Sequence, residues 1–408
     1  MFVEEFYKDN TMKLEVKLVR NNDALLTSWQ ISDFISQLTK HYYKNELLNT
    51  ISLALKHGIS PKDIIIFEES FEINNAYSNI NGLLDFTSHS DVKAFYHLGE
   101  PISMFPNEEV ASIHSAFSHF RKTNEILGRY KFSRLSKNKL KLYYTMIREK
   151  TSHKEVITHM ENLAKEIVRE AGNQNTNKVL FYDSIENLTK YTLEKYSNYK
   201  KNFDSLEILA SSLENNDFNI LGHAKYRKLE SKYFNAFFSK FESLKRPIVG
   251  IFYSDTQKVQ IFCQSFMNKT KHDPSRFLDL KSISHNSPYE AIFTIGVPIV
   301  VSLIGVLNVA LNTRSLSKES EDSIKERREA EIRVAQTIER LESLTEIEEI
   351  KSVEEIPQQY IKRHVKDIRE LNTRKFQEPI EKYGFVNSNI EVTVVDSSPT
   401  KQYTEVPF

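Results

Sequence analysis

An uncharged apolar run at residues 291–313 constrains this chain more than any other feature of its sequence. The run is longer than the roughly 20 residues that an α-helix needs to cross the hydrocarbon core of a bilayer. Ser287 fits an N-cap and Pro288 fits the first helical position, so the sequence predicts a helix at 288–313. Such a helix would span or enter a membrane, or it would be buried on all sides in a protein core.

Three small or rigid residues inside the run predict how this helix would behave. Gly296 and Pro298 would loosen it, because proline removes one backbone hydrogen bond and clashes with the preceding turn. A kinked or re-entrant helix is therefore expected as readily as a straight span. Gly305 offers a small surface for close contact with another helix, which predicts self-association of the chain through this segment.

The overall charge gives the chain no global attraction for nucleic acid or for an anionic membrane. Lys plus Arg and Asp plus Glu number 55 each, so an electrostatic partner must bind a local patch. Cys263 is the single cysteine, which excludes an intramolecular disulfide and fits a reducing compartment. The first residues are charged and lack the apolar stretch of a signal peptide. We therefore expect a cytoplasmic body attached to the inner or plasma membrane.

The fold class expected from the periodicity is α+β. Apolar residues alternate over residues 13–20, which predicts a half-buried strand, and residues 64–67 predict a short buried strand. Thr27 and Gln30 form a capping box that predicts the start of a helix, and Asn107 is the expected N-cap of another. The expected body is mostly helical, with a small antiparallel sheet.

The rest of the chain predicts a change from compact body to charged tail. Helical periodicity is followed by two strands on either side of residues 254–257, which predict a β-hairpin. After the apolar helix comes a charged helical tail, in which residues 317–350 carry a thin apolar stripe. That stripe predicts pairing with another helix as a coiled coil, and so a homo-oligomer. The predicted domains are an N-terminal α+β domain at 1–130, a helical region ending in the hairpin at 131–285, the apolar helix at 286–314 and the charged tail at 315–408.

A basic patch lies between residues 120 and 150, where cations alternate with aromatic residues. Phosphates and stacked bases favour this mixture, and anionic lipid headgroups are attracted by the same charges. The solvated face of a helical pair explains the pattern equally well. Eight of its ten cations are Arg121, Lys122, Arg129, Lys131, Arg134, Lys137, Lys139 and Lys141, and the other two are Arg148 and Lys150.

Arg148 belongs to this patch and His153 follows it, and their spacing resembles the short catalytic motif of HEPN-type ribonucleases. The resemblance covers only the residues from Arg148 to His153, and that family's polar residue beside the arginine would here be Glu149. It implies an all-helical domain in which His153 acts as acid or base near neutral pH. Arg148 would hold the scissile phosphate.

The remaining histidines and glycines predict no metal site and no cofactor. His114 and His119 lack the i, i+4 spacing that places two imidazoles on one helical face, and so do His153 and His159. The sequence contains neither a P-loop nor the glycine pattern of a dinucleotide-binding turn.

The function expected from this layout is that of a non-enzymatic, membrane-associated binding or effector protein. Its cytosolic body would sense a trigger and act through the apolar helix, as toxin and phage-defence membrane effectors do; this is an analogy of architecture. Membrane lipid is the expected partner. One alternative is an RNA-binding or RNA-cleaving protein that uses residues 120–150 with Arg148 and His153. Another is a soluble oligomeric scaffold that buries residues 288–313 in its core.

Overall fold

A computed structural model shows an α+β chain that is mostly helical with antiparallel sheets. It describes residues 11–20, 26–70, 83–171, 175–214, 220–262, 278–284, 289–298, 355–384 and 393–395. The first part of the chain contains β1 (Thr11–Arg20), α1 (Ser28–Lys56), β2 (Ile64–Phe67), β3 (Leu83–Asp85), α2 (Val92–Leu98), β4 (Pro101–Ser103), α3 (Glu108–Arg129) and α4 (Asn138–Arg148). Then follow α5 (His153–Glu170), α6 (Asn175–Glu214), α7 (Ile220–Ser243), β5 (Val249–Tyr253), β6 (Lys258–Ile261), β7 (Leu278–Ser284), β8 (Tyr289–Pro298), α8 (Glu355–Lys382) and β9 (Thr393–Val395).

The chain divides into two compact units, of which the first is discontinuous in sequence. This first unit comprises Met1–Ala54, Lys269–Glu355 and Lys362–Phe408. The second unit comprises Leu55–Asn268 and Ile356–Ile361. The division into four consecutive domains stays a prediction.

A four-stranded antiparallel sheet in the order β7–β8–β1–β9 belongs to the first unit. β1 contains the predicted strand at residues 13–20, which is thereby confirmed. It pairs with β8 from Thr11 opposite Pro298 to Arg20 opposite Tyr289. The pairing joins two segments that are far apart in the sequence.

Residues 289–298 are therefore strand, and the predicted helix beginning at Pro288 is wrong over this stretch. β-branched residues and phenylalanine dominate it, and these residue types favour strands. Gly296 lies inside the strand, and Pro298 lies at its end, the position where a missing N–H disturbs a ladder least. Pro288, Gly305 and the rest of residues 299–313 lie outside the described residues, as does the predicted helix at 317–350. Among the helices of the described ranges, none combines the length and the apolar character that a membrane crossing requires.

Two helices of the first unit are joined by a buried polar network. Asn372 on α8 donates to the His41 carbonyl at 2.9 Å and to Asn45 Oδ1 at 2.8 Å, and its own Oδ1 lies 2.8 Å from His41 Nδ1. The Tyr383 hydroxyl donates to Asp33 on α1 at 2.5 Å. The start of α1 is the predicted capping box, because Gln30 N donates to Thr27 Oγ1 at 3.3 Å while Thr27 N donates to Gln30 Oε1 at 2.9 Å.

Within its described residues, the second unit places six helices beside a five-stranded antiparallel sheet in the order β3–β6–β5–β2–β4. The predicted strand at 64–67 is the fully buried β2, and the predicted hairpin is β5 and β6. Asn107 caps α3 as predicted, since its Oδ1 accepts from Glu109 N at 3.0 Å and from Val110 N at 3.2 Å. A complete capping box between Ser152 and Glu155 starts α5.

An aromatic cluster connects this sheet to its helices. Phe86, which follows β3, stacks on Phe95 of α2 with ring centroids 3.8 Å apart. Its edge contacts reach Tyr144 of α4 at 5.0 Å and Phe252 of β5 at 6.2 Å. All four side chains are buried, so one ring holds together a strand end, two helices and a second strand.

Candidate functional site

Arg148, one half of the motif that resembles HEPN-type ribonucleases, is the exposed last residue of α4. Its Nη1 donates to the Thr87 hydroxyl at 2.9 Å. Thr87 in turn donates to Asp85 Oδ1 at 2.7 Å. The guanidinium therefore stabilises the turn that follows β3. No sequence motif indicated this contact.

His153, the other half, is the first residue of α5 and is wedged against α3. Its Nδ1 lies 3.0 Å from the Ser112 hydroxyl and its Nε2 lies 3.0 Å from the Ser115 hydroxyl. The ring stacks on Tyr196 of α6 with centroids 3.8 Å apart and planes 24° apart. Burial lowers the pKa of His153 to about 4, so the imidazole is neutral near pH 7.

The two residues of the motif thus have separate partners in the second unit. Arg148 bonds to Thr87, whereas His153 bonds to two serines of α3. A general base needs a free ring nitrogen within reach of the proton that it removes, and His153 would first have to release one serine. The ribonuclease hypothesis stays a prediction, and the contacts of both residues are accounted for by packing of α4 and α5.

Arg121 and Lys122, two of the three patch cations with an acidic or aromatic partner in the described residues, contact side chains outside the patch. Arg121 forms an ion pair with Glu68, the residue after β2, and its Nη1 lies 3.1 Å from Glu68 Oε2. Lys122 lies over the ring of Tyr191 on α6, with its Nζ 5.3 Å from the centroid. These contacts occupy both side chains with neighbours inside the second unit.

Five exposed cations of the patch form one corner of the second unit, where α3 ends and α4 begins; one of them, Lys137, lies with its Nζ 4.2 Å from the ring centroid of Tyr96 on α2. Five side chains there are exposed, and no ion pair joins any of them to a carboxylate in the described part of the chain. We call this surface the basic corner. It consists of Arg129, Lys131, Arg134, Lys137 and Lys139.

The loop of the basic corner is held in one conformation by its own residues. Phe132 and Leu135 are buried, 7% and 5% exposed, and anchor it to the helices. Asn124 of α3 clamps Leu135, accepting from its N–H at 2.7 Å and donating to its carbonyl at 3.3 Å. Lys131 takes a positive φ of 64°, which turns the chain at the end of α3.

Gly128 lets the guanidinium of Arg134 approach the backbone of α3. A Cβ at Gly128 would lie 2.9 Å from Arg134 Nη2 and 3.1 Å from its Nε. Any side chain at this position would therefore displace the guanidinium. The clamp by Asn124 carried no signal in the sequence.

Aromatic residues of the patch do not face the solvent as stacking platforms. Tyr143 and Tyr144 are fully buried, and Phe132 packs edge-on against Phe181 of α6 at 5.8 Å. The Tyr130 hydroxyl lies 3.0 Å from the hydroxyl of Ser184 on α6. The cations of the basic corner form no ion pair within the described residues, whereas these rings belong to the packing.

Two aliphatic side chains in the same turn of α6 as Phe181 are exposed. Val179 is 61% exposed and Leu180 is 47% exposed, and both directly precede Phe181, which packs on Phe132 of the corner loop. Cations and exposed aliphatic side chains therefore occur at the same end of the second unit. This combination is typical of surfaces that sit at a lipid interface.

No group of three or more histidine, cysteine or acidic side chains in the described ranges is arranged to hold a metal ion. No protein-family model, curated protein or solved structure matches the chain.

Proposed function

We propose that this chain is a non-enzymatic, membrane-associated binding or effector protein whose second unit docks on an anionic lipid surface. The observation that carries this proposal is the basic corner, five exposed cations without an ion-pair partner in the described residues. Each Lys or Arg near an anionic membrane surface contributes about 1 kcal/mol of attraction. A chain with equal numbers of acidic and basic residues needs such a local surface to bind anions.

The aromatic and aliphatic side chains near the cations favour lipid over nucleic acid as the ligand. Binding to single strands relies on exposed aromatic rings, and the patch rings Tyr143, Tyr144 and Phe132 are buried. The exposed ring of Tyr191 contacts Lys122, which is not part of the basic corner. The exposed Val179 and Leu180 have no evident use on a phosphate backbone, whereas aliphatic side chains gain free energy at the boundary of headgroups and acyl chains.

The sequence beyond β8 adds support for a membrane role. Residues 299–313 contain no charged residue. Residues 291–298 of the apolar run belong to β8, and residues 299–313 alone are fewer than the roughly 20 residues of a spanning helix. Entry into the interface fits that length better than a full crossing, and electrostatic docking would bring the chain to the membrane. The inner leaflet, rich in anionic lipid, is the surface that we assign to it, and self-association through 317–350 remains part of the proposal.

Removing charge from the basic corner should weaken vesicle binding. We expect the variant with Arg134→Gln, Lys137→Gln and Lys139→Gln to bind phosphatidylglycerol-containing vesicles about 100-fold more weakly than the wild type. Cosedimentation with vesicles of phosphatidylcholine, with and without phosphatidylglycerol, measures the effect. Binding should fall with added salt, because exposed charges are screened.

A matched variant removes the same number of charges elsewhere in the second unit. Lys154, Lys201 and Lys225 are exposed, and none has an ion pair in the described residues, so their replacement by Gln should leave vesicle binding nearly unchanged. Equal losses in both variants would contradict a specific surface. RNA that binds the wild type at physiological salt and competes with the vesicles would favour the nucleic-acid alternative, and absence of binding to either would remove both.

The shape of the corner loop should matter as well as its charge. Asn124→Ala removes the clamp on Leu135, and Gly128→Ala displaces the Arg134 guanidinium, yet neither changes the net charge. We expect each to weaken vesicle binding about three- to tenfold, because a mobile loop must be ordered on binding. Gly128→Ala should at the same time raise stability by about 0.5–1 kcal/mol, since alanine favours a helix.

Asn138→Ala is the control for this pair, because Asn138 is exposed between Lys137 and Lys139 and its side chain makes no clamp on the loop. It should bind vesicles as the wild type does. If Asn124→Ala and Gly128→Ala also bind as the wild type does, charge alone accounts for docking and the loop conformation has no part in it.

A further inference from the structure

The helices α3 and α6 of the second unit pack against each other in antiparallel directions. Asn107, before the start of α3, donates from its N–H to the Tyr199 hydroxyl at 3.1 Å. Tyr130, just after the end of α3, contacts Ser184, which is earlier in α6. Residues later in α3 are therefore level with residues earlier in α6.

In the middle of this interface His119 is fully buried, and its tautomer follows from its neighbour. Thr192 donates its hydroxyl hydrogen to the Leu188 carbonyl at 2.8 Å. The Thr192 oxygen, 3.0 Å from His119 Nδ1, can then only accept, so Nδ1 carries the proton. Burial lowers the pKa of His119 to about 3, so the ring is neutral and its Nε2 has a free lone pair.

Three buried polar atoms at this level have no hydrogen-bond partner in the part of the chain that the structure describes. They are His119 Nε2, Thr123 Oγ1 and Thr189 Oγ1. Thr123 follows His119 by one turn of α3, and Thr189 precedes Thr192 by one turn of α6. Because the helices are antiparallel and His119 contacts Thr192, the two threonines lie opposite each other one turn along the same interface.

We infer that these three atoms form an internal binding site for an ordered water molecule between α3 and α6. Water can donate to His119 Nε2 and accept from, or donate to, the two threonine hydroxyls, which satisfies all three atoms at once. The three atoms themselves are uncharged, so a buried cation or anion would find no opposite charge among them, which is costly. A neutral ligand that both donates and accepts is what the three atoms require.

The sign of a stability change tests the inference. Thr123→Val and Thr189→Val keep the side-chain shape and remove one hydroxyl. If a water binds there, each variant leaves it with one bond fewer, and we expect the Tm to fall by about 2–4 °C. If the hydroxyls are simply unpaired, removing one relieves a buried polar group and the Tm rises, which would overturn the inference.

Thr145→Val calibrates the comparison, because the Thr145 hydroxyl donates to the Lys141 carbonyl at 2.9 Å within α4. The Tm shifts of Thr123→Val and Thr189→Val are compared with the Tm shift of Thr145→Val. A crystal structure of the full chain gives the second readout. Density for a water within hydrogen-bond distance of His119 Nε2 and of one threonine hydroxyl supports the site, whereas a direct bond between His119 and Thr123 overturns it.

Discussion

Acidification from about pH 7 to about pH 4 will destabilise the second unit, with roughly 3 kcal/mol lost for each of two histidines, the buried His119 and the half-buried His153. Burial lowers the pKa of His153 to about 4 and that of His119 to about 3. In the unfolded chain a histidine takes up its proton near pH 6.5. Between that pH and the folded pKa the unfolded state binds more protons, so the free energy of unfolding falls as the pH falls. Full stability is present above about pH 6.5.

Urea unfolding of wild type and variants over this pH range measures the effect. His119→Gln and His153→Gln each remove one titrating ring, so the loss of stability between neutral and acidic pH should shrink by a similar amount for each. The quantity compared is the slope of the free energy of unfolding with pH. The stability of each variant at neutral pH does not enter this comparison. His89→Gln is the control for replacing an exposed histidine. A wild-type slope in all three variants would contradict the assignment.

Phe86→Ala should cost about 3–5 kcal/mol of stability, the range for truncating a buried phenylalanine. Phe86 is 1% exposed and contacts rings from α2, α4 and β5. Removing it leaves a cavity among side chains that are themselves fixed in different elements, so local collapse cannot fill the space. The loss of the stacked and edge contacts adds to the cost of the cavity.

Leu83→Ala tests whether burial is the cause. Leu83 lies in β3, close to Phe86 in sequence, and is 46% exposed, so its truncation should cost well under 1.5 kcal/mol. Phe86→Leu fills part of the cavity, so its cost in stability should lie between those of Phe86→Ala and Leu83→Ala. Urea unfolding followed by far-UV circular dichroism gives these energies, and amide hydrogen exchange in β3 and β5 should rise most in Phe86→Ala. Similar energies for Phe86→Ala and Leu83→Ala would show that the cluster does not hold the unit together.

Local elements of the fold could be predicted from the sequence, because their signals lie within a few residues. The capping box of Thr27 and Gln30, the cap by Asn107 and the buried strand β2 depend on neighbouring residues only. The structure of the apolar run at residues 291–298 could not be predicted from neighbouring residues. A short apolar stretch has no periodicity that separates a buried strand from a buried helix, and the partner that decides the matter, β1, lies at the other end of the sequence.

The same limit applies to the candidate site. The sequence indicated which residues of the patch are cationic, but it could not indicate which of them are already paired. Arg121 contacts Glu68 and Lys122 contacts Tyr191 only because the tertiary packing of the second unit brings these side chains together. The clamp between Asn124 and Leu135 is also a contact across a turn that leaves no periodic trace. Electrostatic availability is thus a property of the fold.

The discontinuity of the first unit sets an order of events during synthesis. Its strand β1 is made early, but β8 follows the whole contiguous part of the second unit, Leu55–Asn268. Since domains fold as units while the chain is being made, the second unit can form while β1 still lacks its partner. An unpaired strand is a template for pairing with other chains. The interval before residues 289–298 leave the ribosome is therefore when nascent chains are most exposed to aggregation, and slower translation across the second unit would lengthen it.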